Sequence, residues 1–455
     1  MANKTVKLDD APLNWFHARM VGLTLGAHLA DGYAIGVIGI ALTFIQPQMQ
    51  LGSVWLGLLG SSALIGLFFG SLLLGRVSDK IGRQKIFLFN FMLITVASAL
   101  QFYVSTPLEL LILRLLIGFG LGGDYSVGVT LLAEFSPRKY RGAFLGALSV
   151  IWTFGYVGAT IVGYFMTHNA GADSVAWKVL LATSAIPALV ILLMRIGTPE
   201  SPRWLINMGR IEEARAIVKK YVGSNVVLDD ETPAKEQSSY SVLFSPKLRK
   251  RTAFSSIFFA AIVLPYFAIY TFLPSILDIM KLKSDFGTDL LLNGLLIAGA
   301  LAGIWFTEIF SRRQFTIGSF VILTICLFLL SVLPSSSTTL VVIAFSVFTF
   351  VLSAISNLTG VFPAESFPTE IRTSGVGFAT AISRLASAIS TFLLPVGLTS
   401  MGLMPTMLSL AVCLLLATFV VIAWAPETKK LTLSEASDVA LVEEAQCGML
   451  AEKTN

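Results

Sequence analysis

Along this 455-residue chain, apolar residues gather in runs of about 20, long enough to cross the hydrocarbon core of a bilayer as helices. Twelve such runs are predicted, over 20–46, 54–76, 85–104, 108–134, 142–166, 176–197, 252–279, 288–310, 314–333, 338–362, 374–399 and 404–424. Polar residues fall in short gaps, except for 198–251 between the sixth and seventh runs, so the spans divide six and six. Within that region "SPRWLINMGRIEEARAIVKKYVG" is spaced as an amphipathic helix lying on a membrane surface, and "SNVVLDDETPAKEQSSYS" has the composition of a linker. The pattern predicts an all-α membrane protein with a terminal segment 1–19, a six-helix bundle 20–197, the polar region 198–251, a second bundle 252–424 and a tail 425–455.

Composition agrees. The chain is 55% hydrophobic and 13% charged, where soluble domains carry about a quarter charged residues. The net charge of +5 sits beside hydrophobic runs and not in a patch of its own, so nucleic acid is not an expected partner. Residues 1–22 lack a short apolar stretch with a small-residue cleavage site, and the first span is expected to act as the insertion signal. Cys326, Cys413 and Cys447 have neither disulfide nor metal spacing, and His17, His28 and His168 are scattered. With no phosphate loop or nucleophile elbow, neither enzymatic activity nor a metal or organic cofactor is expected.

Positive charge sets the expected orientation. The first, third, ninth and eleventh connections hold no Lys or Arg, whereas the second holds Arg76, Lys80, Arg83 and Lys85, and the fourth Arg138, Lys139 and Arg141. Arg312 and Arg313 mark the eighth and Arg372 the tenth, which puts even-numbered connections and both termini in the cytoplasm. Lys281 and Lys283 in the seventh connection are offset by Asp278 and Asp285. The expected location is a bacterial-type plasma membrane, with the chain acting as a monomer.

The halves also repeat. Glu134 to Arg141 and Glu365 to Arg372 both read Glu-x-x-Pro-x-x-x-Arg; "PESPRW" from Pro199 matches "PETKK" from Pro426; "DKIGRQK" from Asp79 has a degraded copy, "EIFSRRQ", from Glu308. The offsets are 227 to 231 residues. A duplicated six-span unit is transporter architecture.

These residues, with "GRVSDKIGRQK" at 75–85 and "RLLIGFGLGG" at 114–123, resemble the major facilitator superfamily over nearly the whole chain. "PESPRWL" resembles its sugar-porter-like and metabolite:proton symporter branches. The resemblance implies an alternating-access carrier of two rocking six-helix bundles. Asp79, Arg83, Glu134, Arg141, Glu200, Glu365 and Arg372 are the expected cytoplasmic gate, a set of charge-assisted contacts that breaks on opening inward. An ordinary topology-setting loop is the plainer alternative.

Four ionisable residues stand well inside spans: Asp31, Arg114, Asp124 and Arg384. In resembling symporters an acid in span one faces the span-four arginine, which makes Asp31 and Arg114 a proton-coupling pair. The carboxylate is stabilised while the arginine is near and takes a proton when it withdraws. A neutral Asp31 satisfied by a neighbouring helix is the structural alternative. Asp124 lies ten residues beyond Arg114, roughly 15 Å along the helix, and is a second candidate protonation site or substrate contact. "GGDYSVG" resembles the "GGDYPLS" run of phosphate symporters, but Ser126 and Val127 replace Pro and Leu, and span seven has no acid before Asp278. Arg384, mid-way along span eleven, needs an anion: an aspartate of the bundle, or a substrate carboxylate as in resembling aromatic-acid symporters.

The cargo is read from residue type. Where sugar porters carry hydroxyl-binding amides and a cavity tryptophan, this chain has Ser149, Tyr156, Ala261, Ile262, Ser383 and Gly360. Tyr125, Trp152, Tyr156, Tyr266, Tyr270 and Asn357, with Arg384 and Asp124, instead suit a small organic anion, although each aromatic alone is more often packing than contact. Span five, "WTFGYVGATIVG", lacks the proline of drug:proton antiporters, which favours uptake with protons. A sugar, polyol or phosphate symporter, or a non-transporting solute sensor of the same fold, stays open at this level.

Overall fold

The computed structural model describes residues 6–7, 10–167, 175–228, 240–280, 286–333, 338–367 and 372–427. Their contacts divide the chain into two compact units: Met1–Gln50 with Ser62–Glu236, and Leu51–Ser61 with Gln237–Asn455.

Among the described residues, twelve helices are long and apolar enough to span a membrane. In the first unit these are α1 (Trp15–Gln48), most of α2 (Ser53–Ile81), α3 (Arg83–Leu100), α4 (Pro107–Phe135), α5 (Arg138–Thr167), and α6 (Ala176–Thr183) continued by α7 (Ala185–Arg195). Helix α1 begins five residues before the predicted span because Asn14 and His17 form a reciprocal cap on its first turn. Thr106 and Glu109 do the same for α4, with Pro107 in the first helical position.

The predicted surface helix of the polar region is instead three short pieces: α8 (Pro202–Asn207), α9 (Ile211–Ile217) and a π turn over Val218–Val222. The break falls at Gly209, whose φ of +73° no continuing helix adopts. Their apolar residues are buried against protein: Val218, Val222 and Val226 join Phe16, Met20, Phe87, Leu131 and Phe135 in one core cluster. Val6–Lys7 pairs in parallel with Val226–Val227, and the Asn14 amide donates to the carbonyls of Tyr221 and Val222 at 2.9 and 2.8 Å. Val6–Lys7, Asn14 and the described residues of 202–227 therefore pack together as part of the first unit.

In the second unit the spans are α10 (Arg249–Thr271), α12 (Phe286–Ile309), α13 (Arg312–Val332), α14 (Thr338–Ser356), α16 (Arg372–Ser400) and α17 (Leu403–Trp424). Spans seven and ten are not single helices. Span seven restarts as α11 (Leu273–Ile279), with Pro274 in its first turn, where the N–H that proline lacks would have no helical partner. Span ten passes through a 3-10 turn at Asn357–Thr359 into α15 (Val361–Ser366).

The glycine run of span four is explained by close helix packing. A Cβ on Gly118 would collide with the carbonyl oxygen of Ala63, and one on Gly122 with that of Leu67. Backbone approaches this near are how helices associate without a hydrophobic driving force between them. Replacing Gly122 by Leu is expected to lower the melting temperature of the purified protein by the equivalent of about 1–3 kcal/mol, the usual cost of overpacking. Gly158→Ala, where a Cβ meets nothing within 4 Å, should leave it unchanged.

Candidate functional site

Asp124, near the middle of α4, meets a partner from the end of span six. Arg195 Nη1 lies 2.6 Å from Asp124 Oδ1, and neither side chain has any exposure to solvent. The same nitrogen donates to the Phe87 carbonyl at 2.8 Å. The guanidinium carbon stands 3.4 Å from the Phe87 ring centre and 4.1 Å from that of Phe91, so the cation is held between two aromatic faces of α3. Arg195 closes α7, where a cation also complements the helix dipole.

Asp31 and His28, one turn apart on α1, complete the cluster. A His28 ring nitrogen and a carboxylate oxygen from each of Asp31 and Asp124 lie within 4.8 Å of one another, all on buried residues. The set has the donor types of a cation site, but the guanidinium on Asp124 already brings positive charge into it. His28 Nδ1 is 3.1 Å from the Thr24 carbonyl, and the Tyr125 ring stands 5.0 Å from the imidazole. Arg114 is buried and meets the same helix one turn beyond Asp31, donating from Nη1 to the Ala34 carbonyl at 2.7 Å. The structure thus brings Asp31 together with Asp124, and Arg114 to the backbone three residues further along α1.

The residues expected to form a gate lie close to this cluster, at the end of the unit where α3 begins and α4 ends. Arg83 pairs with Glu134 and lies 3.7 Å from Asp79, while Ser201 Oγ donates to Glu134 at 2.5 Å. Glu200 accepts the free backbone N–H groups that begin α3, from Arg83 at 3.0 Å and Gln84 at 3.2 Å. Gly82 ahead of them takes φ +110°, which favours glycine, and a Cβ there would crowd Glu200 Oε2 at 2.5 Å. The second unit repeats the device. Glu427 accepts from Arg312 N at 3.2 Å and Arg313 N at 3.1 Å, and the Arg313 side chain donates to the carbonyls of Ala425 and Ile422 at the end of α17. The side chains of Arg141, Glu365 and Arg372 lie outside the described residues.

The remaining candidates divide by unit. Trp152 and Tyr156 stack at 5.6 Å on α5. Tyr266 and Tyr270 stack at 5.1 Å on α10, and the Tyr270 hydroxyl bonds Thr349 at 2.5 Å. Asn357 donates to the Ala300 and Ala354 carbonyls at 2.9 and 3.2 Å, which ties the end of α14 to α12. Arg384 is 7% exposed on α16, with its guanidinium carbon 6.0 Å from the Phe259 ring.

A family profile described as "Sugar (and other) transporter" matches residues 20–440. The chain belongs to this family, within the major facilitator superfamily. The transporter is 53% identical over 439 residues to the inner membrane metabolite transport protein YgcS of Escherichia coli (strain K12), covering 96% of this chain and 98% of that one. It is 25% identical to the niacin transporter NiaP of Acinetobacter baylyi, over 83% of this chain and 87% of the relative. Its fold is that of the xylose transporter XylE from E. coli in a partially occluded inward-open conformation, with a TM-score of 0.76, 19% identity, and coverage of 92% and 100%. It is a multi-pass membrane protein and not an enzyme.

Arg195 was not among the sequence candidates. At the end of span six, beside "GTPESPRW", it reads as one more charge flanking a span, and no sequence spacing links it to Asp124. Glu427 was visible only as the second copy of the Pro-Glu pair. Removing Arg195 alone (Arg195→Met) should destabilise the transporter by about 3–5 kcal/mol, because it strands a buried carboxylate. Arg195→Met combined with Asp124→Asn should recover part of that loss, read as melting temperature in detergent.

Proposed function

We propose that this transporter takes up a small organic anion together with a proton by alternating access. The observation that carries the anion reading is Arg384: a permanently charged guanidinium, buried mid-way along a membrane-spanning helix. A cation of this kind is retained in hydrocarbon where it meets negative charge, and a substrate carboxylate matches its planar fork in two parallel hydrogen bonds. The Tyr266 and Tyr270 stack on α10 of the same unit offers flat apolar surface suited to an aromatic or unsaturated acid. NiaP, named for niacin, a pyridine carboxylic acid, supports the same class. A sugar or polyol is the second reading, supported by the family description and the fold of XylE. Against it stand Ala261 and Ile262, which offer no hydrogen bonds to hydroxyls.

Coupling is assigned to the first unit, where Asp31, Asp124 and Arg114 are all buried. The set of charged contacts around Arg83, Glu134 and Glu200 is assigned as the gate that must part when the carrier opens at that end.

Two measurements in proteoliposomes test this. Arg384→Ala should weaken nicotinate binding about ten- to a hundredfold, the equivalent of a charge-assisted hydrogen bond, and leave that of neutral nicotinamide nearly unchanged. Equal losses would remove the anion reading. Asp31→Asn should abolish accumulation of labelled nicotinate driven by an inward proton gradient while keeping exchange of internal for external solute; normal accumulation would show that Asp31 does not couple.

A further inference from the structure

We propose that His28 is a proton-binding group of this transporter, titrating inside a buried set with Asp31 and the Asp124–Arg195 pair. The proposal rests on the proton-coupled reading above and deepens it. Three observations meet at this residue. First, its surroundings are charged on several sides. Asp31 lies on the same helix one turn away, Asp124 and Tyr125 come from α4, and Arg195 of α7 is paired to Asp124; Arg114 of α4 meets α1 further along, at Ala34, and Tyr156 of α5 lies against Gly32 and Gly36. Lys178 of α6 is remote, since its neighbour Trp177 bonds Gln48 at the far end of α1.

Second, Asp31, Asp124 and Arg195 with both carboxylates ionised leave one negative charge, which an imidazolium at His28 balances. Stripping a proton from a guanidinium is not an available way to change that sum. Besides Asp31, the group able to take up a proton without breaking the Asp124–Arg195 pair is the imidazole, whose ordinary titration falls near neutral pH. An imidazolium at this position faces two carboxylates whose oxygens lie within 4.8 Å of a ring nitrogen.

Third, the tautomer is set. Nδ1 is 3.1 Å from a backbone carbonyl, that of Thr24, which only accepts. Nδ1 therefore carries hydrogen in the neutral ring, and Nε2 is the nitrogen that gains and loses the proton. Uptake forms one N–H bond at Nε2 with the proton drawn from water, and release returns it to water; nothing else is consumed. Placed beside Asp31, this second titrating group lets the proton sit on nitrogen or on carboxylate oxygen as the helices move, so the cluster holds a proton in either arrangement.

The test needs no transported solute. In the full-length protein labelled with nitrogen-15 histidine and reconstituted in lipid, the His28 signals are those lost in His28→Asn, whose amide nitrogen can still donate to Thr24. If His28→Asn does not fold, His17→Gln and His168→Gln identify His28 by removing the other two. The expected spectrum shows the Nδ1–H tautomer at alkaline pH and a doubly protonated ring as pH falls between about 8 and 5. Asp31→Asn should move the midpoint to lower pH by about one unit, a tenfold change in proton affinity. A ring neutral throughout, an Nε2–H tautomer, or a midpoint indifferent to Asp31→Asn would each overturn the proposal. Failure of nicotinate to accumulate would count against the organic-anion reading and not against His28. A silent His28 with proton-driven uptake intact would count against His28 alone.

Discussion

Carrying charge into a low-dielectric interior is tolerated only where opposite charge and hydrogen bonds come with it, and the first unit is arranged around one such place. The Asp124–Arg195 pair joins α4 to the end of α7, and the two rings that enclose the guanidinium add α3. Removing one member leaves the other stranded, so the pair behaves as a single element. Its position brings Asp124 within reach of α1, where His28 and Asp31 sit on one helical face. The glycines of α4 matter for the same reason: they let α2 approach closely enough to keep α4, and Asp124 with it, in this position.

A second constraint acts at helix ends. The first N–H groups of α3 and α13 have no partner within their own helices. In each unit a glutamate that follows the unit's last span, Glu200 or Glu427, supplies the acceptor. One carboxylate against two backbone N–H groups at a positive helix end is a compact contact that can be made and broken without repacking a core. This is the character a gate requires, and its recurrence in both units gives the sequence repeat a physical meaning. In the first unit the contact is elaborated with Arg83, Glu134 and Ser201, while in the second Arg313 turns instead to the end of α17.

Much of this architecture is written in local pattern. Twelve apolar runs, a polar interruption after the sixth and paired motifs at a fixed offset are one-dimensional facts, and hydrocarbon enforces them by demanding that every backbone polar group be satisfied within a helix. The capping residues Asn14 and Thr106 and the break at Gly209 are equally local. Asp31, Arg114, Asp124 and Arg384 stood out for a related reason: an ionisable residue inside a span is costly, so its presence alone marks it.

Which of these charges meet was decided only in three dimensions. Spacing along α4 separates Arg114 from Asp124, but nothing in the sequence says that Arg195, 71 residues further on, reaches Asp124, or that Arg114 ends on the Ala34 carbonyl. Nor does it say that His28 joins two aspartates, since a lone histidine in a span carries no signal of its own. Pairing depends on helix rotation and crossing, which are set by small residues and ring packing at contacts far apart in sequence. The sequence by itself determined the spans, their duplication and which residues carry charge into the membrane. The tertiary structure alone decided their partners, because a buried charge takes its chemistry from what lies within a few ångströms and not from its place along the chain.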